Sequence, residues 1–467
     1  MALLAMGLAV FVVANDFTAL SVALPQIERD LDADVATVQW VINAYALLFG
    51  VLIVTGGRIA DIIGRRRAFF AGAGIFALFS LLAGLAPDAT TLILARALMA
   101  IGGALMWPAV VGLTFSILPD DKAGLAGGLI LGVGGIGNAF GPMLGGVLTE
   151  AIDWRAILLL NLPIAAIACA VTYREVPADR PVAQDERIDY RGVVTLSVAL
   201  IALLVALDQV VDWGWTDARV LGLLVVCAAG LAVLAPLERR AGRQALLPGD
   251  VVSNRSFVGA CLATACMAAT FFSMLLFAPQ FMQKVLGYSA LEAGVGFLPM
   301  MGLFALTSFV AGPLYNRVGP RRLLLLGAAL IPAGALWLSF LEATSGYGSM
   351  VPGLAIIGVG VGLFTPTLTT AAITSVDASR SSLAGGILYM FQVGGGSVGL
   401  AITTTVVTSV ADDTHLHGPE AFVDGLQAGL RLDVALAVVA LLIIATTVRP
   451  ARTAGADAEP APAAASA

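Results

Sequence analysis

Charged side chains are scarce in this chain of 467 residues. Asp, Glu, Lys and Arg make up only 12% of it, whereas 59% of its residues are hydrophobic. A soluble domain carries about 25% charged residues. So much apolar surface cannot be buried inside one globule in water. The composition therefore excludes an ordinary soluble protein and indicates that lipid is the solvent.

Patterns that serve enzymes are also rare. The chain has no Gly-x-x-x-x-Gly-Lys-Ser/Thr loop, so we do not expect ATP to drive it. Gly395-Gly-Ser397-Val-Gly399 matches a hydrolase pattern but lies in an apolar run, and the two histidines, His415 and His417, lie in an acidic loop. We expect no enzyme, metal site or cofactor. The cysteines lie in apolar runs and do not indicate a disulfide framework: Cys169, Cys227, Cys261 and Cys266.

Fourteen apolar runs are long enough to cross about 30 Å of hydrocarbon as helices. The composition thus predicts an all-α integral membrane protein. The runs lie near 2–24, 38–57, 68–86, 91–117, 126–149, 156–173, 191–208, 218–236, 257–278, 291–312, 322–341, 350–373, 385–410 and 430–448. The acidic segment 411–430 is expected to be a loosely ordered loop.

Basic residues alternate strongly between the links that join these runs. If the N-terminus is cytoplasmic, 19 of the 25 Lys and Arg residues lie on the cytoplasmic side. This bias is typical of membrane proteins and predicts that both termini are cytoplasmic. The frequent Ala, Gly and Arg suggest a GC-rich bacterial genome, and hence a bacterial plasma membrane. We expect membrane lipid but no nucleic acid as a partner, and a monomer.

Two pairs of similar segments indicate an internal repeat. The arginine-rich link that begins at Gly57 returns at Gly312, 255 residues later, and Leu125-Ala-Gly-Gly returns at Leu383, 258 residues later. Duplicated helical halves are typical of transporters whose substrate site lies between the halves. The repeat predicts a six-helix half at 1–174, an inserted helix pair at 175–250, a second six-helix half at 251–448 and a disordered cytoplasmic tail at 449–467.

Several motifs, in order along the chain, resemble those of a known family. Gly57-x-x-Ala-Asp61-x-x-Gly64-Arg65-Arg66 is similar to the signature between helices 2 and 3 of the major facilitator superfamily. A glycine-rich motif resembles the antiporter motif of helix 5 in that superfamily: Gly137, Gly141, Pro142, Gly145 and Gly146. Further motifs resemble the fourteen-helix drug:proton antiporters: Asp16 with Ala23-Leu24-Pro25, Trp154-Arg155 with Asn161-Leu-Pro163, and Gln283-x-x-x-Gly287-Tyr-Ser with Ala293-Gly294 and Leu298-Pro299. The resemblance implies a major facilitator fold with 14 transmembrane helices.

The sequence departs from the family pattern at two places. The helix 4 motif, usually Arg-x-x-Gln-Gly, reads Arg96-Ala-Leu-Met99-Ala100, so a polar partner is missing. The second copy of the arginine-rich link has Asn316 where the first has Asp61. The first departure affects the expected proton route but not the fold.

Asp16 and Arg96 are the expected proton-coupling residues. A carboxylate inside a span costs about 2.5–3.5 kcal/mol on insertion scales, so Asp16 is expected to face a cavity and to exchange a proton. Arg96 lies at a depth within about 5 Å of Asp16, counted at 1.5 Å per residue. We expect Arg96 to act on Asp16 directly or through water. The alternatives are a structural hydrogen bond for Asp16 and an Arg96 side chain that reaches the outer surface.

The resemblance assigns two groups of residues to conformational change. Gly57, Asp61, Gly64, Arg65 and Arg66 are implied to lock the outward-open state, with Asp61 beside the N-terminus of a later helix. The alternative is a solvated loop. The antiporter glycines are expected to form a rocking or sliding surface, because small residues let helices approach closely.

Polar and aromatic residues inside the runs are candidates for the substrate cavity, although each could serve packing instead: Asn43, Tyr45, Trp107, Asn138, Met300, Tyr389 and Gln392. The resemblance implies a proton-coupled antiporter that exports lipophilic, often cationic drugs by alternating access. A dedicated exporter of an endogenous metabolite, antibiotic, lipid or siderophore is the alternative. A membrane-embedded enzyme and a non-transporting sensor are less favoured.

Overall fold

Residues 1–33, 35–119, 122–177, 189–242, 245–413 and 418–447 are described by a computed structural model. This part of the chain is helical and contains no β-strand. A helix satisfies its own backbone hydrogen bonds, which is required in hydrocarbon. The predicted tail at 449–467 lies outside the described residues, as do His415 and His417.

Thirteen helices in the described ranges are long and apolar enough to cross a membrane. The helix Ala123–Ala151, bent by 41° between Asn138 and Met143, makes a fourteenth. The fourteen-helix fold class is therefore confirmed. The helices are α1 Ala2–Ala19, α2 Leu24–Asp30, α3 Val35–Ile63, α4 Arg65–Gly84, α5 Ala89–Ile117, α6 Ala123–Ala151, α7 Arg155–Glu175, α8 Tyr190–Trp213, α9 Ala218–Ala241, α10 Gly249–Val252, α11 Arg255–Lys284, α12 Ala290–Gly296, α13 Leu298–Val318, α14 Pro320–Leu338, α15 Tyr347–Ile373, α16 Ser381–Asp413 and α17 Pro419–Thr447.

Three features of the predicted pattern need correction. The loop expected at 411–430 is wrong over its second part, because α17 begins at Pro419, eleven residues before the apolar run. The tenth run is divided into α12 and α13, and α12 begins with a capping box formed by Ser289 and Glu292. The arginine-rich link is far shorter than its motif: α3 continues to Ile63 and only Gly64 separates it from α4.

The two arginine-rich links turn in the same way. Gly64 has φ of 100° and Gly319, between α13 and α14, has φ of 89°. Glycine adopts this left-handed region without the steric cost of a side chain. We call the membrane side that holds Gly64 and Gly319 the link side. The repeated glycines therefore produce the same sharp reversal in each half.

Helices α1 and α3–α7 pack as one bundle, and α11 with α13–α17 pack as another. The bundles meet along two seams, α3 against α16 and α6 against α13. Close approach occurs on the link side, where a Cβ on Gly57 would lie 2.6 Å from the Ser382 oxygen and one on Gly312 would lie 2.8 Å from the Gly124 oxygen. The inserted pair, α8 and α9, packs through α8 on both α3 and α16.

Candidate proton site, switch and substrate path

Asp16 and Arg96 form a buried ion pair. Arg96 Nη1 donates to Asp16 Oδ2, and both side chains are 0% exposed. Arg96 therefore does not reach the outer surface. Asp16 is near the end of α1 and Arg96 in the second turn of α5, so two helices that run in opposite directions bring the charges to one depth.

Two polar residues complete the surroundings of the Asp16 carboxylate. Asn161 Nδ2 donates to Asp16 Oδ1 at 2.9 Å and lies 3.1 Å from Ser80 Oγ. Ser80 in turn donates to the Leu158 oxygen at 2.7 Å. The sequence analysis placed Asn161 in a family motif without this role and did not select Ser80. Each of them is a polar residue inside an apolar run, and this pattern could have identified them in the sequence.

Arg96 makes three further contacts. Its Nε donates to the Val41 oxygen at 3.1 Å, its Nη1 lies 3.6 Å from Met99 Sδ, and its guanidinium carbon lies 4.2 Å from the centre of the Tyr45 ring. The thioether of Met99 thus occupies the position where the family pattern has an amide. A thioether is only a weak acceptor, so Met99 competes with Asp16 for this guanidinium less than an amide would.

Four aromatic side chains form a continuous cluster that starts at Tyr45. Tyr45 stacks on Phe49 with centroids 5.8 Å apart, and Phe49 meets Trp107 and Tyr389 edge-on at 6.4 and 5.4 Å. Trp107 and Tyr389 are 5.2 Å apart. Tyr389 belongs to α16, whereas the other three belong to α3 and α5, so the cluster joins the two bundles. Phe49, which is not among the predicted cavity residues, therefore brings three of them together: Tyr45, Trp107 and Tyr389.

The other predicted cavity residues do not join this cluster. Asn43 Nδ2 donates to Asp208 Oδ1 of the inserted pair at 3.0 Å. The Asn138 oxygen accepts from Thr18, and Met300 is 0% exposed and packs its backbone against Gly358 of its own bundle. Gln392 is half-buried on α16. Asp208, which the sequence analysis did not select, gives the inserted pair a carboxylate beside α3.

Asp61 and Arg65 connect the bundles on the link side. Asp61 Oδ2 accepts from the Leu383 N–H at 3.0 Å, at the start of α16. Arg65 Nε donates to Asp61 Oδ1 at 3.2 Å, and its Nη1 and Nη2 donate to the Gly112 and Ala378 oxygens at 3.2 and 2.6 Å. A carboxylate at a helix N-terminus is stabilised by the unpaired N–H groups there. Asp61 and Arg65 therefore lie in the interface between the bundles and not in a solvated loop.

Gly57 belongs to this interface, whereas Arg66 makes its contacts within its own bundle. Gly57 lies inside α3 against Ser382, where a larger residue would collide with backbone. Arg66 turns away from α16: its Nη2 donates to the Tyr173 oxygen at 2.8 Å, and its guanidinium lies over the Phe70 and Tyr173 rings. Arg66 thus joins α4 to α7 within one bundle.

The antiporter glycines pack against α1. A Cβ on Gly137 would lie 3.0 Å from Ala14, and one on Gly141 or Gly145 would meet Thr18 or Ala19. A Cβ on Gly146 would make an ordinary contact with Val22, at 3.8 Å. These glycines therefore face α1 of their own bundle, whereas the seam with α13 uses other glycines of α6. Pro142 lies in α6, but its side chain is outside the described residues.

Glu292 serves structure at the surface of the protein. Glu292 accepts from the Ser289 N–H and hydroxyl at 2.8 and 2.9 Å, and these bonds lower the pKa of its carboxyl. It therefore remains charged as the cap of α12.

Within the described ranges, no group of three or more His, Cys, Asp or Glu side chains could hold a metal ion.

The fold and these motifs are those of a membrane transporter built from two helical bundles. The family profile of the Major Facilitator Superfamily matches residues 6–400. The chain therefore belongs to this superfamily, whose members are generally not enzymes. It is a multi-pass membrane protein.

Curated relatives include three bacterial resistance proteins. The puromycin resistance protein pur8 of Streptomyces alboniger is 36% identical over 444 residues, which cover 93% of this chain and 87% of the relative. The tetracenomycin C resistance and export protein of Streptomyces glaucescens is 32% identical, with 88% and 76% covered. The multidrug resistance protein Stp of Mycobacterium tuberculosis is 32% identical, with 87% and 75% covered. The relatives are thus drug and antibiotic resistance proteins.

A solved structure agrees with the fold. The human organic anion transporter MFSD10 (TETRAN) superposes with a TM-score of 0.68, and 95% of this chain and 98% of that chain are covered. The sequence identity is 13%, so this likeness concerns the fold alone.

Proposed function

We propose that this chain is a proton-coupled antiporter that exports lipophilic, often cationic drugs from the bacterial cytoplasm. The link side is the cytoplasmic side, because most basic residues lie there, and both termini are cytoplasmic. The transporter works as a monomer in membrane lipid. It uses the proton gradient and needs no bound cofactor.

One observation carries this proposal: the buried Asp16–Arg96 pair adjoins an aromatic cluster that crosses between the bundles. Arg96 contacts both the carboxylate and the Tyr45 ring, and Tyr45 leads through Phe49 to Tyr389 of the other half. Aromatic faces suit flat lipophilic cations, since such faces attract positive charge. Proton binding and substrate binding thus act on neighbouring groups.

The cycle follows from the charge of Asp16. In the described state the link side is closed and Asp16 is paired with Arg96. A proton from outside neutralises Asp16, and the unpaired Arg96 draws Tyr45 and its cluster into a new arrangement that opens the link side. Substrate then binds from the cytoplasm and the proton leaves to the cytoplasm. The pair re-forms, the link side closes and the substrate leaves to the outside. A membrane potential of 100 mV supplies about 2.3 kcal/mol for each charge moved.

A dedicated exporter of an antibiotic or another endogenous compound is the second candidate. It is favoured by the names of two relatives, which refer to puromycin and to the export of tetracenomycin C. The two candidates share the fold and the proton site and differ only in the range of substrates.

The test is ethidium efflux from cells that lack other pumps. We compare the wild type with Asp16→Asn at equal expression, with and without a protonophore. We expect wild-type efflux to disappear with either change. Equal efflux by wild type and Asp16→Asn would refute the role of Asp16. Wild-type cells that retain all the dye would favour the dedicated exporter over the multidrug exporter.

A further inference from the structure

The most deeply buried acidic side chain of the second half is Asp433, in the middle of α17. It is 0% exposed and lies within a membrane-spanning helix. It lies inside the last apolar run, 430–448, but is not among the predicted site residues. The mechanism above makes no use of this group.

Hydroxyl groups surround Asp433. Thr403 Oγ1 of α16 donates to Asp433 Oδ1 at 2.8 Å, and Thr270 Oγ1 of α11 donates to the Asp433 backbone oxygen at 3.2 Å. The Ser273 hydroxyl of α11 faces the same carboxyl. Among the described residues, Asp433 Oδ2 and Ser273 Oγ otherwise lack a hydrogen-bond partner. The Ser273 hydroxyl can satisfy Oδ2 in either protonation state, as a donor to the carboxylate or as an acceptor from the carboxylic acid.

Charged groups on the neighbouring helices lie elsewhere. Arg321 of α14 donates to the Ala445 oxygen near the end of α17, and Lys284 at the end of α11 contacts Gln280 and Phe422. Arg431 of α17 is exposed and binds Gln427. The other titratable groups on the packed helices are Arg255, Cys261 and Cys266 of α11, Arg322 of α14, Tyr389, Asp412 and Asp413 of α16, and Glu420 and Asp424 of α17. No ion pair joins Asp433 to a described cation.

The absence of a cation beside Asp433 raises the free energy of its ionised form. Burial of an ionised carboxylate without a cation is strongly unfavourable, and such a group takes up a proton instead. Asp16 differs, because Arg96 compensates its charge. The charge of Asp16 is thus balanced by a neighbouring cation, whereas Asp433 has only hydroxyl groups around it.

The internal repeat relates the helices of the two sites but not the two carboxyls themselves. Ser273 follows Asp16 by 257 residues, between the repeat offsets of 255 and 258. In the first half the carboxylate is on the first helix and Asn161 on the sixth helix binds it. In the second half the hydroxyl is on the first helix and the carboxyl is on the sixth. The corresponding helices therefore meet through a polar contact in both halves, although Asp433 follows Asn161 by 272 residues and does not match it in the repeat.

We infer that Asp433 is a second proton-binding site, occupied in the conformation described here. Its contribution to proton counterflow rests on the proposed proton coupling, whereas proton binding itself does not. Thr403 connects this site to the switch, because it lies on α16, whose first turn receives Asp61. Between these points Gly395 and Gly399 hold α16 tightly against Ala265 and Ala269 of α11. A shift of α16 therefore moves Thr403 relative to Asp433 and allows the proton to leave.

Infrared difference spectroscopy on the full chain in lipid tests the protonation state. The wild-type minus Asp433→Asn spectrum at neutral pH is expected to contain the C=O band of a carboxylic acid. Carboxylate bands in its place would overturn the inference. The matched control is Asp16→Asn, whose difference spectrum is expected to show carboxylate bands. If Asp433→Asn does not fold, Thr403→Val takes its place: a shifted C=O band supports the inference and a shifted carboxylate band refutes it.

A second measurement tests counterflow in reconstituted vesicles, with ethidium as the probe. Asp433→Asn is expected to lower the number of protons moved per ethidium by about half, because one of two buried proton-binding groups is lost. An unchanged ratio would overturn the contribution of Asp433 to counterflow. If the wild type moves ethidium without protons, the proposed function fails, while the infrared result still decides whether Asp433 holds a proton.

Discussion

The guanidinium of Arg96 lies over the ring of Tyr45, 4.2 Å from its centre, while its Nη1 binds Asp16. One side chain thus contacts the buried carboxylate and the first member of the aromatic cluster. A change in the charge of Asp16 must alter the balance of forces on Arg96 and therefore on Tyr45. This relationship makes the coupling testable one residue at a time.

The first prediction concerns the Tyr45 ring. Tyr45→Leu removes the aromatic face, and a desolvated cation–π contact contributes about 2 kcal/mol. We expect the response of ethidium efflux to an imposed pH gradient to fall about thirtyfold. Tyr45→Phe is the control, because it keeps the ring, and it should retain most of the response. Similar losses in both variants would show that the ring face does not transmit the coupling.

The second prediction concerns the stability of the ion pair. Arg96→Gln leaves Asp16 buried without a cation, which costs about 3–5 kcal/mol. We expect a lower melting temperature at neutral pH and partial recovery on acidification, because a proton then neutralises Asp16. The double variant with Asp16→Asn should recover stability at neutral pH. Additive losses in the double variant would contradict a direct pair.

The third prediction concerns the link-side contact between Asp61 and α16. Asp61→Ala removes a charged hydrogen bond to Leu383, which contributes about 1.5 kcal/mol or more. The population with an open link side should then rise about tenfold. We would measure it as the maleimide labelling rate of Ser381→Cys, a position only 5% exposed.

Asp88 offers the matched control for this measurement. Like Asp61 it accepts from a backbone N–H at a helix start, but the helix is its own, α5. Asp88→Ala should cost about 1 kcal/mol of stability without changing the labelling of Ser381→Cys. Equal labelling in the Asp61 and Asp88 variants would exclude a gating role for Asp61.

The fourth prediction concerns close packing at Gly57. An added Cβ would lie 2.6 Å from the Ser382 oxygen, so Gly57→Ala is expected to cost about 1–3 kcal/mol in the closed state. Gly74→Ala in α4 is the control, because a Cβ there meets no heavy atom within 4 Å. It should be neutral or stabilise the helix by about 0.5–1 kcal/mol. Thermal unfolding measures both, and a neutral Gly57→Ala would refute the close contact.

Much of the fold could be predicted because the membrane imposes a simple rule. Each span must satisfy its own backbone and face lipid, so run length and composition indicate a helix. The rule fails where a helix leaves the hydrocarbon. The first turns of α17 are too polar to count as a span, and α12 is a separate short helix because Ser289 and Glu292 cap it.

The candidate site could be predicted only in part. Asp16 and Arg96 were identifiable because charge inside a span is costly, and depth counted along the helices placed them near each other. Their contact with Asn161 and Ser80, and the role of Phe49, depend on how α1, α4, α5 and α7 rotate about their own axes. Helix rotation follows from packing in three dimensions, which one sequence does not encode as a local pattern.

The sequence by itself determined that this chain crosses the membrane fourteen times as two similar halves, because hydrophobic length and repeated motifs are local properties. It also determined which residues are costly enough inside lipid to need a partner. Only the tertiary structure decided which partner each one has. Asp16 has a cation and Asp433 has hydroxyl groups, and this difference arises because helices distant in sequence enclose each carboxyl. The protonation state of a buried acid depends on that enclosure.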